Sequence, residues 1–161
     1  MKVIDINNCI EKLVKLASNS PIQYKHGACL LKGNKTYSFG FNKFNREIYL
    51  NNEMIKFTIH AEMDAIYKTK NKNIKGMDIL IIRIGKINNN LKYSRPCNDC
   101  IEKMMRRGIR KVYYSNHNGE IVCDFIDSMP KIHNSSGYSI RNKLISKINL
   151  LLRSFSFFII L

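Results

Sequence analysis

The chain has 161 residues, 45% of them apolar, and a formal net charge of +15. That length suits one domain with one sizeable core, and the apolar content excludes a disordered chain. The charge favours an anionic partner such as a nucleotide or nucleic acid, but the basic residues are scattered among abundant Asn and Ile, so charge alone names no site.

Asp5 can cap a first helix, because Ile6, Ile10, Leu13, Val14 and Ala17 recur at helical spacing until Ser18-Asn19-Ser20-Pro21. Ala28 to Leu31, a Gly33-Asn34 turn and the alternating Tyr37 to Phe41 predict a β-hairpin. Asn42 to Asn52 reads as a polar loop. A second helix is expected to start at Thr58 or its neighbour, carrying His60, Met63, Ala65 and Ile66, and to end before the Lys-rich loop from Lys68 to Lys75. Met77 to Ile84 is nearly continuous in apolar residues until Arg83, as in a central strand covered on both faces. Asn88-Asn89-Asn90 turns the chain. Pro96 is placed to open a third helix, where its missing N–H costs nothing. Cys100, Met104 and Met105 follow, and Gly108 stops the helix. Arg106 and Arg107, late on it, read as a solvated face. Val112 to Tyr114 is a strand, Asn116-His117-Asn118-Gly119 a turn, and Glu120 to Val122 a returning antiparallel strand. Arg141 to Leu152 suits a closing helix. The order is that of an α/β domain over residues 1–147. A hydrophobic tail of unassigned role, 148–161, is short for a membrane span and interrupted by Arg153.

Two short segments carry chemistry. His60-Ala61-Glu62 and Pro96-Cys97-Asn98-Asp99-Cys100 offer one imidazole, two thiols and a carboxylate. His60, Cys97 and Cys100 are suited to zinc, and three protein ligands leave the fourth tetrahedral position open, as catalysis requires. Cys97 and Cys100 lie one helical turn apart and so on one side. Glu62 need not be a ligand and can carry protons at such a centre. A structural zinc would need a fourth ligand from His26, His117, His133, Cys29 or Cys123. A redox dithiol would lack the usual βαβ start. Cys9 and Cys29 sit at core-facing positions. Five cysteines with one CxxC do not form a secreted disulfide framework. Lys2 and Asp5 break any leading apolar run, so a reducing, cytoplasmic setting is expected.

H-x-E followed by P-C-x-x-C is the signature of zinc-dependent nucleobase deaminases. From about Lys25 to Tyr114 the chain resembles the cytidine/deoxycytidylate deaminase superfamily, on His60-Ala61-Glu62, on Pro96-Cys97-x-x-Cys100 and on Gly40-Phe41-Asn42 upstream. The resemblance implies a three-layer α/β/α sandwich around a mixed sheet of about five strands and one zinc per subunit. It implies a hydrolase that turns a cytosine nucleoside or nucleotide into the uracil form, with Glu62 as proton shuttle. Asn42 is then expected at the sugar and Ala61 at the base, and a homo-oligomer is implied. His26, Phe44, Tyr93 and Arg95 are candidates for the pocket mouth, an aromatic or His to stack on a base and Arg95 to bind a phosphate. A deaminase of bases within nucleic acid and an inert zinc-binding module are the alternatives. Two features depart from relatives: Gly85 to Arg95 intervenes before Pro-Cys, and the turn at Asn116 to Gly119 suggests the free-cytidine branch although the motif residues look like the deoxycytidylate branch.

Overall fold

The computed structural model describes residues 6–33, 35–50, 53–70, 72–135, 142–143 and 145–146. Helix α1, Ile6–Ser18, buries Cys9, Leu13 and Ala17 at four-residue spacing. Ile6, Ile10 and Val14 pack partly buried beside them. Strands β1, Lys25–Lys32, and β2, Lys35–Phe41, form the expected hairpin, with Gly33 at φ +58° in its turn.

Of the stretch expected as a loop, Lys43 to Leu50 is strand. Strands β3, Lys43–Leu50, and β4, Glu53–Ile59, pair antiparallel as a separate two-stranded ribbon. Cross-strand partners Glu47 and Lys56 form an ion pair at 3.3 Å, and Tyr49 donates to the Met54 sulfur at 3.5 Å. Thr58 therefore lies in a strand, and helix α2 runs from Ala61 to Tyr67 with His60 as its N-cap. Strand β5, Asp78–Ile84, is the buried central strand expected. A two-residue strand β6, Leu91–Lys92, pairs with its end. Helix α3 is Asn98–Arg106 with Cys97 as N-cap, so Pro96 stands before the helix and does not open it. Gly108, at φ +74°, follows the helix end as a C-terminal glycine should. Strands β7, Lys111–Ser115, and β8, Ile121–Phe125, complete the fold.

The main sheet runs β2-β1-β5-β7-β8, with β6 beside β5. Among the described strands only β5 and β7 pair in parallel, and a parallel pair needs a long crossover, which here carries α3. β7 and β8 are antiparallel, as the turn at 116–119 indicated. Helix α1 covers one face with Cys29, Leu31, Leu80 and Ile82; α2 and α3 cover the other with Ala28, Leu30, Ile79 and Ile81. This is the three-layer mixed-sheet sandwich. Of the closing helix, only 142–143 and 145–146 are described, and these are helical. The Asp5 cap and the 148–161 tail lie outside the described residues.

Candidate metal centre and active site

The site forms where two helix starts meet. His60 and Cys97 are the N-caps of α2 and α3, both extended (φ −76°, ψ 154° and φ −73°, ψ 164°), and neither side chain caps its own helix. Both side chains are thus left to face one another. His60 Nδ1 lies 3.2 Å from Cys100 Sγ and 3.6 Å from Cys97 Sγ. The ligand atoms of His60, Cys97 and Cys100 all fall within 4.8 Å of each other. Zinc–nitrogen and zinc–sulfur bonds at a tetrahedral angle would separate N and S by about 3.6 Å, so this donor set fits zinc. Among the described residues no fourth His, Cys, Asp or Glu joins the cluster. Cys29 is on the opposite face, Cys123 is exposed on β8, and His117 stacks on Tyr93 with centroids 4.1 Å apart.

Without a metal the three side chains share protons that zinc would displace, since it takes thiolates and a neutral imidazole. A hydrogen bond from Cys100, opposed by burial and aided by His60, pulls the Cys97 thiol down to about 3. The same bond, with burial, pushes the Cys100 thiol up, so the two sulfurs hold one proton between them. The bond to Cys97 outweighs burial and raises His60 to about 9. Glu62 is 5% exposed, and burial raises its pKa against the opposing pull of His60. A carboxylate in that setting can hold a proton and give it up again.

The surrounding structure explains why α2 sits where it does. A Cβ on Gly40 would lie 2.5 Å from the Ala61 carbonyl oxygen and still closer to the Ala65 amide, so the glycine of Gly40-Phe41-Asn42 lets β2 touch α2. Asp64 accepts from the Phe41 N–H at 3.2 Å and pairs with Lys43 at 2.9 Å and Lys68 at 2.8 Å. Burial raises its pKa, but these partners win and leave it below the usual carboxylate range.

A cavity of about 530 Å³ opens onto His60, Glu62 and Cys97, within the range for small-molecule sites. Asn42 and Ala61 line it, as do His26, Tyr93 and Arg95. Asn42 is buried: its Oδ1 accepts from the His26 N–H at 2.8 Å and its Nδ2 donates to the Tyr24 carbonyl at 2.7 Å. It clamps the start of β1 into the cavity wall. Phe44 does not line the cavity; it lies on the ribbon, 43% exposed, with the Lys56 amine 5.4 Å from its ring centroid. Burial, with Arg83 nearby, lowers His26 to about 4, against a bond to the Tyr24 carbonyl, which leaves its ring neutral near pH 7.

Sequence reasoning missed Arg83, Ser94 and the strap of residues 130–135. Arg83 was visible only as the charge ending a buried strand. Ser94 and Ser115 share a buried hydroxyl contact at 2.7 Å, and Ser94 donates to the Ile81 carbonyl at 2.9 Å, which fixes Arg95 beside the cavity. The strap is pinned from below: Arg95 Nη2 donates to the Pro130 carbonyl, and Asn98 donates from its N–H to the His133 carbonyl at 2.9 Å and from Nδ2 to Asn134 Oδ1 at 3.0 Å.

Residues 5–116 match the family described as the cytidine and deoxycytidylate deaminase zinc-binding region. The chain belongs to that family. Its zinc-dependent deaminase chemistry, hydrolysis of C–N bonds, is therefore this chain's reaction type, and His60, Cys97 and Cys100 are positioned to bind one metal ion. No curated protein sequence matches the chain. Among solved structures, the chain is similar to cytidine deaminase from Burkholderia pseudomallei, at 19% identity and TM-score 0.55 over 77% of this chain and 95% of that one. It is also similar to dCMP deaminase from the cyanophage S-TIM5, solved with dCMP and dUMP, at 21% identity and TM-score 0.51 over 73% and 85%. A cytidine deaminase from Mycobacterium tuberculosis aligns at 15% identity and TM-score 0.51 over 82% and 100%. At these identities the likenesses establish the deaminase fold.

Proposed function

We propose that this deaminase converts a cytosine nucleoside or nucleotide to its uracil form and releases ammonia. The observation that carries this is a buried carboxylate, Glu62, beside a metal-ligand set with an open side facing the cavity. Zinc held there brings the pKa of a bound water near 7 and so supplies a nucleophile at neutral pH. Glu62 would carry both protons of the attacking water, the first to the ring nitrogen next to the carbon under attack and the second, taken from the new hydroxyl as it becomes the carbonyl, to the departing amino group. Water adds, ammonia departs, and a carbonyl replaces the amine. Ala61 holds the base at the helix start, and Asn42, rigid through its bonds to Tyr24 and His26, contacts the sugar. A reducing, intracellular setting accords with free thiols at Cys97 and Cys100, and self-association into a homo-oligomer is part of the reading.

Ammonia release from cytidine, deoxycytidine, their monophosphates and tRNA tests the reading. The zinc-loaded protein is expected to turn over one or more of the small substrates. Glu62→Gln should bind zinc and remain folded while losing about 10²–10⁴ in rate, the range for general acid–base catalysis. Turnover confined to tRNA, or none at all, would overturn it.

A further inference from the structure

The cavity that reaches His60 and Glu62 also carries two arginines, Arg83 and Arg95, while Glu62 is the one carboxylate among its described lining residues. Arg95 is 7% exposed. Its Nη2 donates to the Pro130 carbonyl, but its Nη1 is buried with no hydrogen-bond partner. No ion pair among the described residues involves either arginine. A guanidinium stays charged at any physiological pH and has only donors. Burying such a group with a donor unmatched is costly unless an anion completes it.

The placement of both groups is built. The Ser94–Ser115 contact fixes the segment that carries Arg95. Arg83 ends the row Ile79, Ile81, Arg83 on the sheet face that meets α2 and α3, opposite His26 of β1, with its guanidinium carbon 5.5 Å from the centre of the Tyr24 ring. Planar, forked donors of this kind match phosphate oxygens.

We infer that Arg95 and Arg83 form a phosphate subsite, so that the substrate is a cytosine mononucleotide and not the free nucleoside. The inference rests on the deaminase reading above. The phosphate is a terminal monoester: Arg95 is buried beneath the strap that holds Pro130, so the anion reaches it at the end of a ligand inside the cavity.

The test uses the full zinc-loaded chain and two readouts. The first is the ratio of kcat/KM for dCMP over deoxycytidine and for CMP over cytidine. That ratio is expected to exceed ~100 in the wild type, since a site built to bond a group rejects the analogue lacking it. It should fall on the order of 10–100-fold, the effect of a charged hydrogen bond, in Arg83→Gln and in Arg95→Lys. Arg106→Gln, an exposed change on α3, controls for overall charge and should leave the ratio alone. The Arg83 side chain makes no hydrogen bond or ion pair among those described, so its variant keeps the test usable if Arg95→Lys disturbs the strap. The second readout is calorimetric binding of dCMP, deoxycytidine and inorganic phosphate to zinc-loaded Glu62→Gln, which needs no turnover. Tighter binding of dCMP than deoxycytidine, lost when Arg83→Gln is added, supports the subsite even if no cytosine substrate is turned over and the deaminase reading fails. Equal rates and equal affinities for nucleoside and nucleotide overturn the subsite while leaving that reading intact. Turnover confined to cytosine within RNA or DNA overturns the monoester assignment.

Discussion

Alternate residues of the same two strands, β1 and β5, build both faces of the sheet, yet the faces differ in kind. Toward α1, Cys29, Leu31, Leu80, Ile82 and Ile84 meet Cys9, Leu13 and Ala17, an apolar core throughout. Toward α2 and α3, the rows Ala28–Leu30 and Ile79–Ile81 end at His26 and Arg83. The helix above them buries two carboxylates, Glu62 and Asp64. Each face also holds a pair of cysteines. Burial, reinforced by Cys9, pushes the Cys29 thiol up to about 12, while Cys97, also buried, is drawn down to about 3 by Cys100 and His60. Burial is common to both; the partners are what turn a packing thiol into a ligand.

That contrast breaks most readily at the cysteines. Cys97→Ser or Cys100→Ser should abolish stoichiometric zinc and all deamination. Cys9→Ala or Cys29→Ala should keep full zinc and cost only about 1 kcal/mol, as for one small buried group. Metal analysis beside denaturant unfolding reads both, and zinc loss from an α1-face variant would erase the distinction. Next comes the join between β2 and α2. Gly40→Ala should cost about 2–3 kcal/mol by overpacking, because its Cβ meets fixed backbone at Ala61 and Ala65. Activity should fall with it, since α2 carries His60 and Glu62. Unfolding and kcat measured together check this; an unchanged midpoint would show that the contact is slack.

A smaller effect than at Gly40, and a pH-dependent one, concerns Asp64, whose side chain is 7% exposed between two half-exposed lysines. Its folded pKa is lowered, so its contribution is complete above the unfolded value of about 3.9 and is lost as pH falls through the folded one. Asp64→Asn should be less stable by about 1–2 kcal/mol near pH 7, after discounting for solvent screening. The gap should close as wild type loses stability more steeply below about pH 5. A gap that stays constant on acidification would mean that the charge of Asp64 contributes nothing.

The α1 periodicity, the β5 run and the two motif segments were legible because burial leaves an apolar pattern and metal chemistry leaves fixed spacings. The β3–β4 ribbon was not, because among its described residues the contact with the core comes at its end, where Ile59 packs partly buried. Tyr49 is 75% exposed and Met54 45%, and pairing rests on cross-strand contacts that polar residues make equally well. Its one readable sign was the β-forming Met54 to Ile59 run. The helix starts shifted for a related reason. Thr58 and Pro96 look like openings, whereas His60 and Cys97 occupy the cap positions while their side chains turn to the metal. Arg95 and Ser94 depend on contacts with residues 13 to 35 positions away, which no local pattern records.

X-ray absorption at the zinc edge of the protein as purified tests the metal centre most directly. The geometry of His60, Cys97 and Cys100 predicts one zinc per chain with two sulfurs at about 2.3 Å, one imidazole nitrogen at about 2.0 Å and one solvent-derived light atom. A third sulfur or a second imidazole closing the shell, or no zinc at all, would contradict it.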